Sequence, residues 1–309
     1  MTTEVLSIAT RESPLAVWQA DFVADQLRAH TPGLDVQLVK LSTRGDKILD
    51  QALSKVGGKD LFVKEIEHAL FDGRAQIAVH SLKDMPTALP DGLTITAYPP
   101  REDPRDAIVS TRGYTLDTLP FRAVVGTCSL RRAAQILRRR PDINIVPIRG
   151  NVQTRLAKLD AENMDATLLA FAGLKRLEMP HIATHVLSAE ECLPAIGQGI
   201  LAVETKADDA ATNTHVAKLD DSDARARAQA ERAFLHRLEG GCQVPIAGHA
   251  TVDGDRIKLR GLVASLDGQK VIEDTIEGPV SEAAPLGVSL AEDLLGRGAG
   301  QILQSLMAS

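Results

Sequence analysis

Apolar and polar positions alternate along the first two-thirds of the chain in a pattern typical of strands followed by helices. Short runs of Val, Ile, Leu and Ala predict strands, and apolar residues spaced three or four positions apart predict helices. The predicted strands are residues 5–9, 36–41, 77–81, 123–126, 143–148 and 167–170. The predicted helices are residues 15–27, 64–71, 130–139 and 152–159. This alternation indicates mostly parallel sheets with helices on both faces.

The pattern breaks at the proline-rich segment 99–104 and then restarts, which indicates a domain boundary. From about residue 220 it changes to that of a small α+β unit. The elements predicted there are a polar helix, two strands and a helix broken near Gly296, at residues 224–238, 256–263, 270–277 and 286–306. We therefore predict an α/β protein with two doubly wound domains and a smaller α+β C-terminal domain.

Composition narrows the class of function. The chain has 309 residues, a formal net charge of −6 and 3% aromatic residues, which argues against binding to nucleic acid or to an anionic membrane. Three cysteines without a C-x-x-C motif predict neither a disulfide framework nor a zinc site, and we expect no metal. The first residues lack the features of a signal peptide and no apolar run could span a bilayer, so we expect a cytoplasmic protein.

Cys242 lies in the most distinctive local sequence, Gly240-Gly241-Cys242-Gln243-Val244-Pro245. Two glycines before a cysteine allow a bend without side-chain bulk, and the proline prevents a helix from continuing. A thiol presented in this way is a candidate nucleophile or attachment point. The alternative is a small buried apolar residue, which is the usual role of a lone cysteine.

Arginines recur at the predicted ends of strands. Arg131 and Arg132 fall in the first turn of a predicted helix, where cations oppose the helix dipole unless an anion binds there. The carboxyl ends of strands in a doubly wound sheet are where ligands bind. The candidate anion-binding arginines are Arg11, Arg131, Arg132, Arg149, Arg155 and Arg176. Six arginines predict a ligand with several carboxylates or phosphates; the alternative is a solvated surface, which we expect for Arg139 and Arg140.

Asp84 follows the predicted strand 77–81 and is expected at the same edge. A carboxylate among cations keeps its charge and can stabilise positive charge on a substrate or relay a proton. A structural salt bridge with Lys83 or an arginine is the alternative. Gly197-Gln198-Gly199 lacks the full dinucleotide-binding fingerprint and predicts a tight turn between domains.

Long motifs run in a fixed order through nearly the whole chain. They include Ala9-Thr10-Arg11, Gly57-Gly58-Lys59, Ala78-Val79-His80-Ser81-Leu82-Lys83-Asp84, Arg101-Glu102-Asp103-Pro104-Arg105-Asp106, Ser129-Leu130-Arg131-Arg132, Arg149-Gly150-Asn151-Val152 and Glu239-Gly240-Gly241-Cys242. In these motifs the chain resembles the porphobilinogen deaminase (hydroxymethylbilane synthase) family. The resemblance implies two periplasmic-binding-protein-like domains, with domain 1 at 1–99 and 200–219, domain 2 at 100–199 and domain 3 at 220–309.

The resemblance also implies a reaction and a cofactor. Four porphobilinogen molecules would be joined head to tail, each with loss of ammonia, on a dipyrromethane cofactor bound covalently through Cys242, and water would release hydroxymethylbilane. Asp84 would be the catalytic residue. The residues expected to bind cofactor or substrate are Arg11, Ser13, Ser81, Lys83, Thr127, Ser129, Arg131, Arg132, Arg149, Arg155, Arg176 and Gln198. We expect a monomer that acts on porphobilinogen without a nucleic-acid or membrane partner.

A polar, glycine-bearing segment would act as a flap over the site or be an ordinary surface loop. Its residues are Lys55, Gly57, Gly58, Lys59 and Phe62. Two positions depart from the family pattern: Cys128 stands where a small hydroxyl residue is usual, and Glu12 replaces a common amide. One competing interpretation is a two-domain organic-anion binding protein, and the missing signal peptide argues against it. The other is a binder of phosphate backbones, and the net negative charge argues against that.

Overall fold

The computed structural model describes residues 5–42, 60–239 and 244–307. The chain divides into two compact units. The first comprises residues 1–102 and 200–225, and the second comprises residues 103–199 and 226–309.

The first unit contains a five-stranded sheet. Its strands are β1 (Val5–Arg11), β2 (Asp35–Leu41), β3 (Ile77–Ser81), β4 (Leu93–Ala97) and β10 (Leu201–Lys206), in the order β2-β1-β3-β10-β4. β1 is parallel to β2 and to β3, and β10 is antiparallel to both of its neighbours. The register pairs Val5 with Asp35, Ile8 with Ile77, and Leu201 with Ser81.

Helices cover both faces of this first sheet. They are α1 (Pro14–His30), α2 (Asp60–Phe71) and α6 (Ala210–Val216). Consecutive strand residues point to opposite faces of a sheet. Accordingly, Ile8 belongs to a buried apolar cluster with Leu27 of α1, whereas Ala9 belongs to another cluster with Ile66 of α2. The first unit is therefore doubly wound.

The second unit contains a sheet of the same plan. Its strands are β5 (Asp106–Val109), β6 (Val124–Gly126), β7 (Asn144–Val146), β8 (Ala166–Ala170) and β9 (His185–Val186), in the order β7-β6-β8-β5-β9. β6 is parallel to β7 and β8, and the fourth strand, β5, is antiparallel to both neighbours, as β10 is in the first sheet. The helices that follow β6, β7 and β8 are α3 (Leu130–Arg139), α4 (Val152–Ala161) and α5 (Phe171–Arg176).

The C-terminal part is a three-stranded antiparallel sheet with its own core. The strands β11 (Ile246–Asp253), β12 (Arg256–Ala264) and β13 (Val271–Pro279) pair in chain order. The helices are α7 (Ser222–Arg237), α8 (Ala283–Gly296) and α9 (Ala299–Met307). Phe234 of α7 is fully buried in the apolar cluster of this part. Gly287 lets α8 approach α7 closely, because a Cβ there would lie 2.2 Å from the Ala230 carbonyl oxygen.

The predicted fold class is confirmed: two α/β sheets and a smaller α+β part are present. The helix at Leu130–Arg139 and the strand at Ile77–Ser81 have the predicted bounds. Several strands were not predicted from the sequence, namely β4, β5, β9, β10 and β11, and with them the antiparallel fourth strand of each five-stranded sheet. The division into three domains stays a prediction. No helix in the described part is long and apolar enough to cross a membrane.

Candidate active site

The first unit brings several predicted site residues to one edge of its sheet. Arg11 is the last residue of β1 and Ser81 is the last residue of β3, and these strands are parallel neighbours. Carboxyl ends of adjacent parallel strands share one edge, so Ser13 and Asp84, which follow directly, lie at that edge too. The Ser13 hydroxyl caps α1 by accepting a hydrogen bond from the Ala16 amide at 3.4 Å.

Asp84 lies in a short 3₁₀ turn, Leu82–Asp84, that begins directly after β3. Leu82 and Met85 are buried on either side of Lys83 and Asp84, which anchors the turn and leaves those two side chains half-buried. The Ser81 hydroxyl accepts a hydrogen bond from Gln19 Nε2 at 2.9 Å.

The second unit repeats this arrangement at the carboxyl ends of its parallel strands β6, β7 and β8. The residues after β6 are Thr127, Ser129, Arg131 and Arg132. Those after β7 are Arg149 and Arg155, and Arg176 ends the helix after β8. The structure therefore gathers seven of the predicted binding residues at one edge of the second sheet.

Arg131 and Arg132 lie in the first turn of α3, as the sequence predicts, after the N-cap Ser129, whose hydroxyl accepts from the Arg132 amide at 3.4 Å. Both side chains are buried, and both are already paired with a carboxylate of this chain, Asp106. Asp106 Oδ2 is 2.7 Å from Arg131 Nη1, and Asp106 Oδ1 is 2.6 Å from Arg132 Nη2. The prediction that the two arginines await an external anion is thus incomplete, because Asp106 meets part of their charge.

Three further predicted residues make defined contacts in the second unit. Arg155 Nε donates to the Gly150 carbonyl at 2.9 Å, which holds the arginine against the turn before its helix. Arg176 is buried and its Nη2 donates to the Gly199 carbonyl at 2.7 Å. Gln198 Nε2 donates to Asp106 Oδ1 at 3.0 Å, so this amide belongs to the same cluster as Arg131 and Arg132.

Some predictions fall outside the described residues. These are Cys242 and the flap residues Lys55, Gly57, Gly58 and Lys59, and the same holds for the side chain of Phe62. Of the two departures from the family pattern, the Cys128 thiol is exposed between Thr127 and Ser129, and Glu12 is exposed next to Arg11.

The predicted solvated surface at Arg139 and Arg140 is wrong for Arg140. Its guanidinium is half-buried and forms a bidentate ion pair with Asp142, with Nε–Oδ1 and Nη2–Oδ2 distances of 2.8 Å. It also donates to the carbonyls of Leu116 and Leu119. Arg139 is exposed, as predicted. The two adjacent arginines therefore differ in exposure, because only Arg140, at the C-cap of α3, faces the carbonyls of the segment before β6.

Asp106 was not among the residues predicted for the site, although it ends the motif Arg101-Glu102-Asp103-Pro104-Arg105-Asp106. The signal was present: Asp106 directly precedes the apolar run Ala107-Ile108-Val109, and a carboxylate that begins a buried strand must find cationic or hydrogen-bonding partners. Burial alone would raise the pKa of Asp106, but the charges of Arg131 and Arg132 outweigh it and hold that pKa well below its usual range.

Two family models match nearly the whole chain. The model described as "Porphobilinogen deaminase, dipyromethane cofactor binding domain" matches residues 6–214, and "Porphobilinogen deaminase, C-terminal domain" matches residues 225–296. The chain belongs to the porphobilinogen deaminase family. A porphobilinogen deaminase of Syntrophotalea carbinolica is 53% identical over 306 residues, covering 99% of this chain and 97% of that protein.

Members of the porphobilinogen deaminase family are transferases that make hydroxymethylbilane from porphobilinogen, and this is the activity of the chain. Solved structures with weaker likeness include the VFT2 domain of Bordetella pertussis BvgS, with a TM-score of 0.43 at 15% identity, covering 70% of this chain and 86% of that one. Another is an arginine-specific periplasmic binding protein of Salmonella typhimurium, with a TM-score of 0.41 at 13% identity, covering 72% and 94%.

Proposed function

We propose that Cys242 anchors the dipyrromethane cofactor of this porphobilinogen deaminase, that Asp84 is its catalytic residue, and that the arginines bind pyrrole carboxylates. The observation that carries the proposal is the shared plan of the two sheets. In each unit, the predicted residues follow the carboxyl ends of parallel strands, which is where α/β proteins bind ligands. Family membership rules out the competing interpretation of an organic-anion receptor.

The donors in the second unit suit a ligand that bears carboxylates. Arg131 and Arg132 together carry two positive charges and Asp106 carries one negative charge, so the three groups sum to one positive charge. Arg131 Nε is buried and has no hydrogen-bond partner in the described part of the chain. An arginine N–H directed at a carboxylate forms a strong, charge-assisted hydrogen bond. We therefore assign Arg131, Arg132, Thr127 and Ser129 to the cofactor side chains.

Further arginines provide for the incoming substrate. Each pyrrole ring carries an acetate and a propionate, so each added ring brings two negative charges that need cationic partners. Arg11, Arg149, Arg155 and Arg176 are assigned to these groups. Ser13, Ser81, Lys83 and Gln198 are assigned to supporting contacts.

When bound, the cofactor would supply a pyrrole ring with a free α-carbon as the acceptor for the first porphobilinogen. Each addition would break the carbon–nitrogen bond of the porphobilinogen aminomethyl group, form one carbon–carbon bond in its place, and release ammonia, which leaves with the proton that the acceptor α-carbon loses. Asp84 is suited to accept hydrogen bonds from pyrrole N–H groups and to stabilise the positive charge that the pyrrole nitrogen carries. The turn Leu82–Asp84 presents its carboxylate half-buried, where a charge acts more strongly than in water.

We also propose the three-domain division at 1–99 with 200–219, 100–199, and 220–309, and a monomer that works in the cytoplasm. The separate core under the three-stranded sheet, with Phe234 and Leu290 fully or nearly fully buried, supports an independent third domain. The absence of a helix able to cross a membrane among the described residues is consistent with this location.

Intact mass spectrometry of the purified, active protein tests the assignment of Cys242. We expect a covalent excess that matches two condensed pyrroles, retained in Cys128→Ser and Cys192→Ser and lost in Cys242→Ser. Cys128→Ser and Cys192→Ser are matched controls because they remove the other two thiols of the chain. Active protein with the mass of the bare chain would contradict the proposal, and so would a Cys242→Ser variant that keeps the excess.

A further inference from the structure

Asp106 is the centre of a buried polar cluster in the second unit. It begins β5, is fully buried, and receives hydrogen bonds on both carboxylate oxygens. Oδ1 accepts from Arg132 Nε at 3.0 Å, Arg132 Nη2 at 2.6 Å and Gln198 Nε2 at 3.0 Å. Oδ2 accepts from Arg131 Nη1 at 2.7 Å and lies 3.6 Å from the Cys192 sulfur. One side chain thus contacts three residues that we assign to the site.

These contacts fix the orientation of both guanidinium groups. Arg132 donates hydrogen bonds from Nε and Nη2 to Asp106, and from Nη1 to the Leu168 carbonyl at 2.9 Å. Arg131 Nη1 is held between Asp106 and the Leu193 carbonyl, at 2.7 and 2.8 Å. A long arginine side chain loses much rotamer freedom when it binds a ligand. Here that freedom is already lost on folding, so a ligand would meet oriented donors.

The cluster retains an excess of positive charge. Burial raises the pKa of Cys192 to about 12, so its thiol contributes no charge. The Asp106 carboxylate therefore balances only one of the two arginines, and Arg131 Nε is buried without a hydrogen-bond partner in the described part of the chain. A buried charge without a counter-charge is unfavourable unless a ligand supplies one. The excess matches one further carboxylate.

We propose that Asp106 is a positioning residue for the dipyrromethane cofactor: it orients Arg131 and Arg132 and leaves one positive charge between them for a cofactor carboxylate. This inference rests on the proposed assignment of the two arginines to the cofactor. Asp106 itself acts through them, because its own oxygens are occupied by their donors. Its role therefore differs from that of Asp84, which we expect to contact the reacting rings.

A purely structural ion pair predicts a different outcome from a positioning role. If Asp106 only stabilised the fold, its loss would lower stability and yield while every folded molecule still assembled the cofactor. A positioning role predicts that even correctly folded molecules carry less of the cofactor. Asp165 offers a matched control in the same unit, since it is buried, pairs with Arg112 and accepts from the Val124 amide.

The test compares Asp106→Asn, Asp106→Glu and Asp165→Asn by intact mass of the folded, monodisperse fraction. We expect the two-pyrrole mass excess to fall at least tenfold in Asp106→Asn and to remain complete in Asp165→Asn. Asp106→Glu keeps the charge but displaces the carboxylate by one methylene, so it covers the case in which the asparagine variant fails to fold. Its folded molecules are also expected to carry less cofactor.

The outcomes separate this inference from the proposed function. Wild-type protein without the mass excess would remove the cofactor assignment, and the inference with it. If the wild type carries the excess, and folded Asp106→Asn or Asp106→Glu carries it to the same extent with the same turnover per molecule, the positioning role alone is overturned.

Discussion

The Glu231 carboxylate of α7 accepts a hydrogen bond from the backbone amide of Gly197, with 2.6 Å between Oε2 and the nitrogen. Its other oxygen, Oε1, accepts from the Ala250 amide of β11 at 2.8 Å, and the side chain is fully buried. One buried carboxylate thus links the turn Gly197-Gln198-Gly199 to the C-terminal sheet. Gly197 and Gly199 both have positive φ, 72° and 88°, so the turn uses the conformational freedom of glycine.

Replacing Glu231 with Gln is expected to destabilise the second unit. The amide NH₂ group would face one of two backbone donors, so at least one buried N–H would lose its acceptor, at a cost of about 1–3 kcal/mol. Urea unfolding followed by circular dichroism measures the change. Glu292→Gln, which alters an exposed pair with Arg237, is the control and is expected to change stability by less than about 0.5 kcal/mol. Equal stability of both variants would show that Glu231 does not hold the turn.

Asp84→Ala is expected to keep the covalent cofactor, wholly or in part, and to lose turnover. General acid–base or electrostatic roles of this kind are worth about 100-fold or more in rate. Product formation from porphobilinogen measures the loss, and intact mass reports the cofactor on the same sample. Asp91→Ala removes an exposed carboxylate of the same unit and is expected to leave turnover unchanged. Unchanged product formation by Asp84→Ala would remove Asp84 from its assigned role.

Arg139 and Arg140 are adjacent, yet their loss is expected to have different effects. Arg140→Met removes a bidentate partner of Asp142 and two donors to the carbonyls of Leu116 and Leu119, so we expect a loss of about 1–3 kcal/mol. Arg139→Met removes one exposed contact and is expected to cost less than about 0.5 kcal/mol. Thermal or urea unfolding of the two variants measures their loss of stability. Similar losses for both would contradict the structural difference between Arg139 and Arg140.

The helices whose starts carry clear signals were predicted from the sequence. Ser13-Pro14 and Ser129 mark the starts of α1 and α3, and the structure places each serine at the N-cap. β9 was missed because its two residues give no period, and β5 was missed because it directly follows the proline-rich segment 99–104, whose chain-breaking signal dominates there. β10 was missed because it returns to the first sheet from a distant part of the chain, a pairing that local pattern cannot reveal.

The candidate site was predictable only in part, because local sequence shows single residues but not their distant partners. Arginines at strand ends stand out individually, so Arg131, Arg132 and Arg149 could be named from the sequence. Their partners could not, because Arg131 and Asp106 are 25 positions apart and meet only through the antiparallel placement of β5 beside β8. The pairing of His80 Nε2 with Glu204 Oε2 at 2.9 Å, 124 positions apart, likewise depends on the antiparallel register of β3 and β10.

The thiols of Cys128 and Cys192 are expected to differ sharply in reactivity. Cys192 is buried, and burial, together with the nearby Asp106 carboxylate, raises the pKa of its thiol to about 12. A raised pKa lowers the thiolate fraction at pH 8, and only the thiolate is nucleophilic. Cys128 is exposed and open to reagent. Alkylation with iodoacetamide at pH 8, followed by peptide mapping, should therefore modify Cys128 in the native protein and Cys192 only after unfolding in urea. Equal labelling of both thiols in native protein would contradict the buried, neutral state of Cys192 and with it the charge balance of the Asp106 cluster.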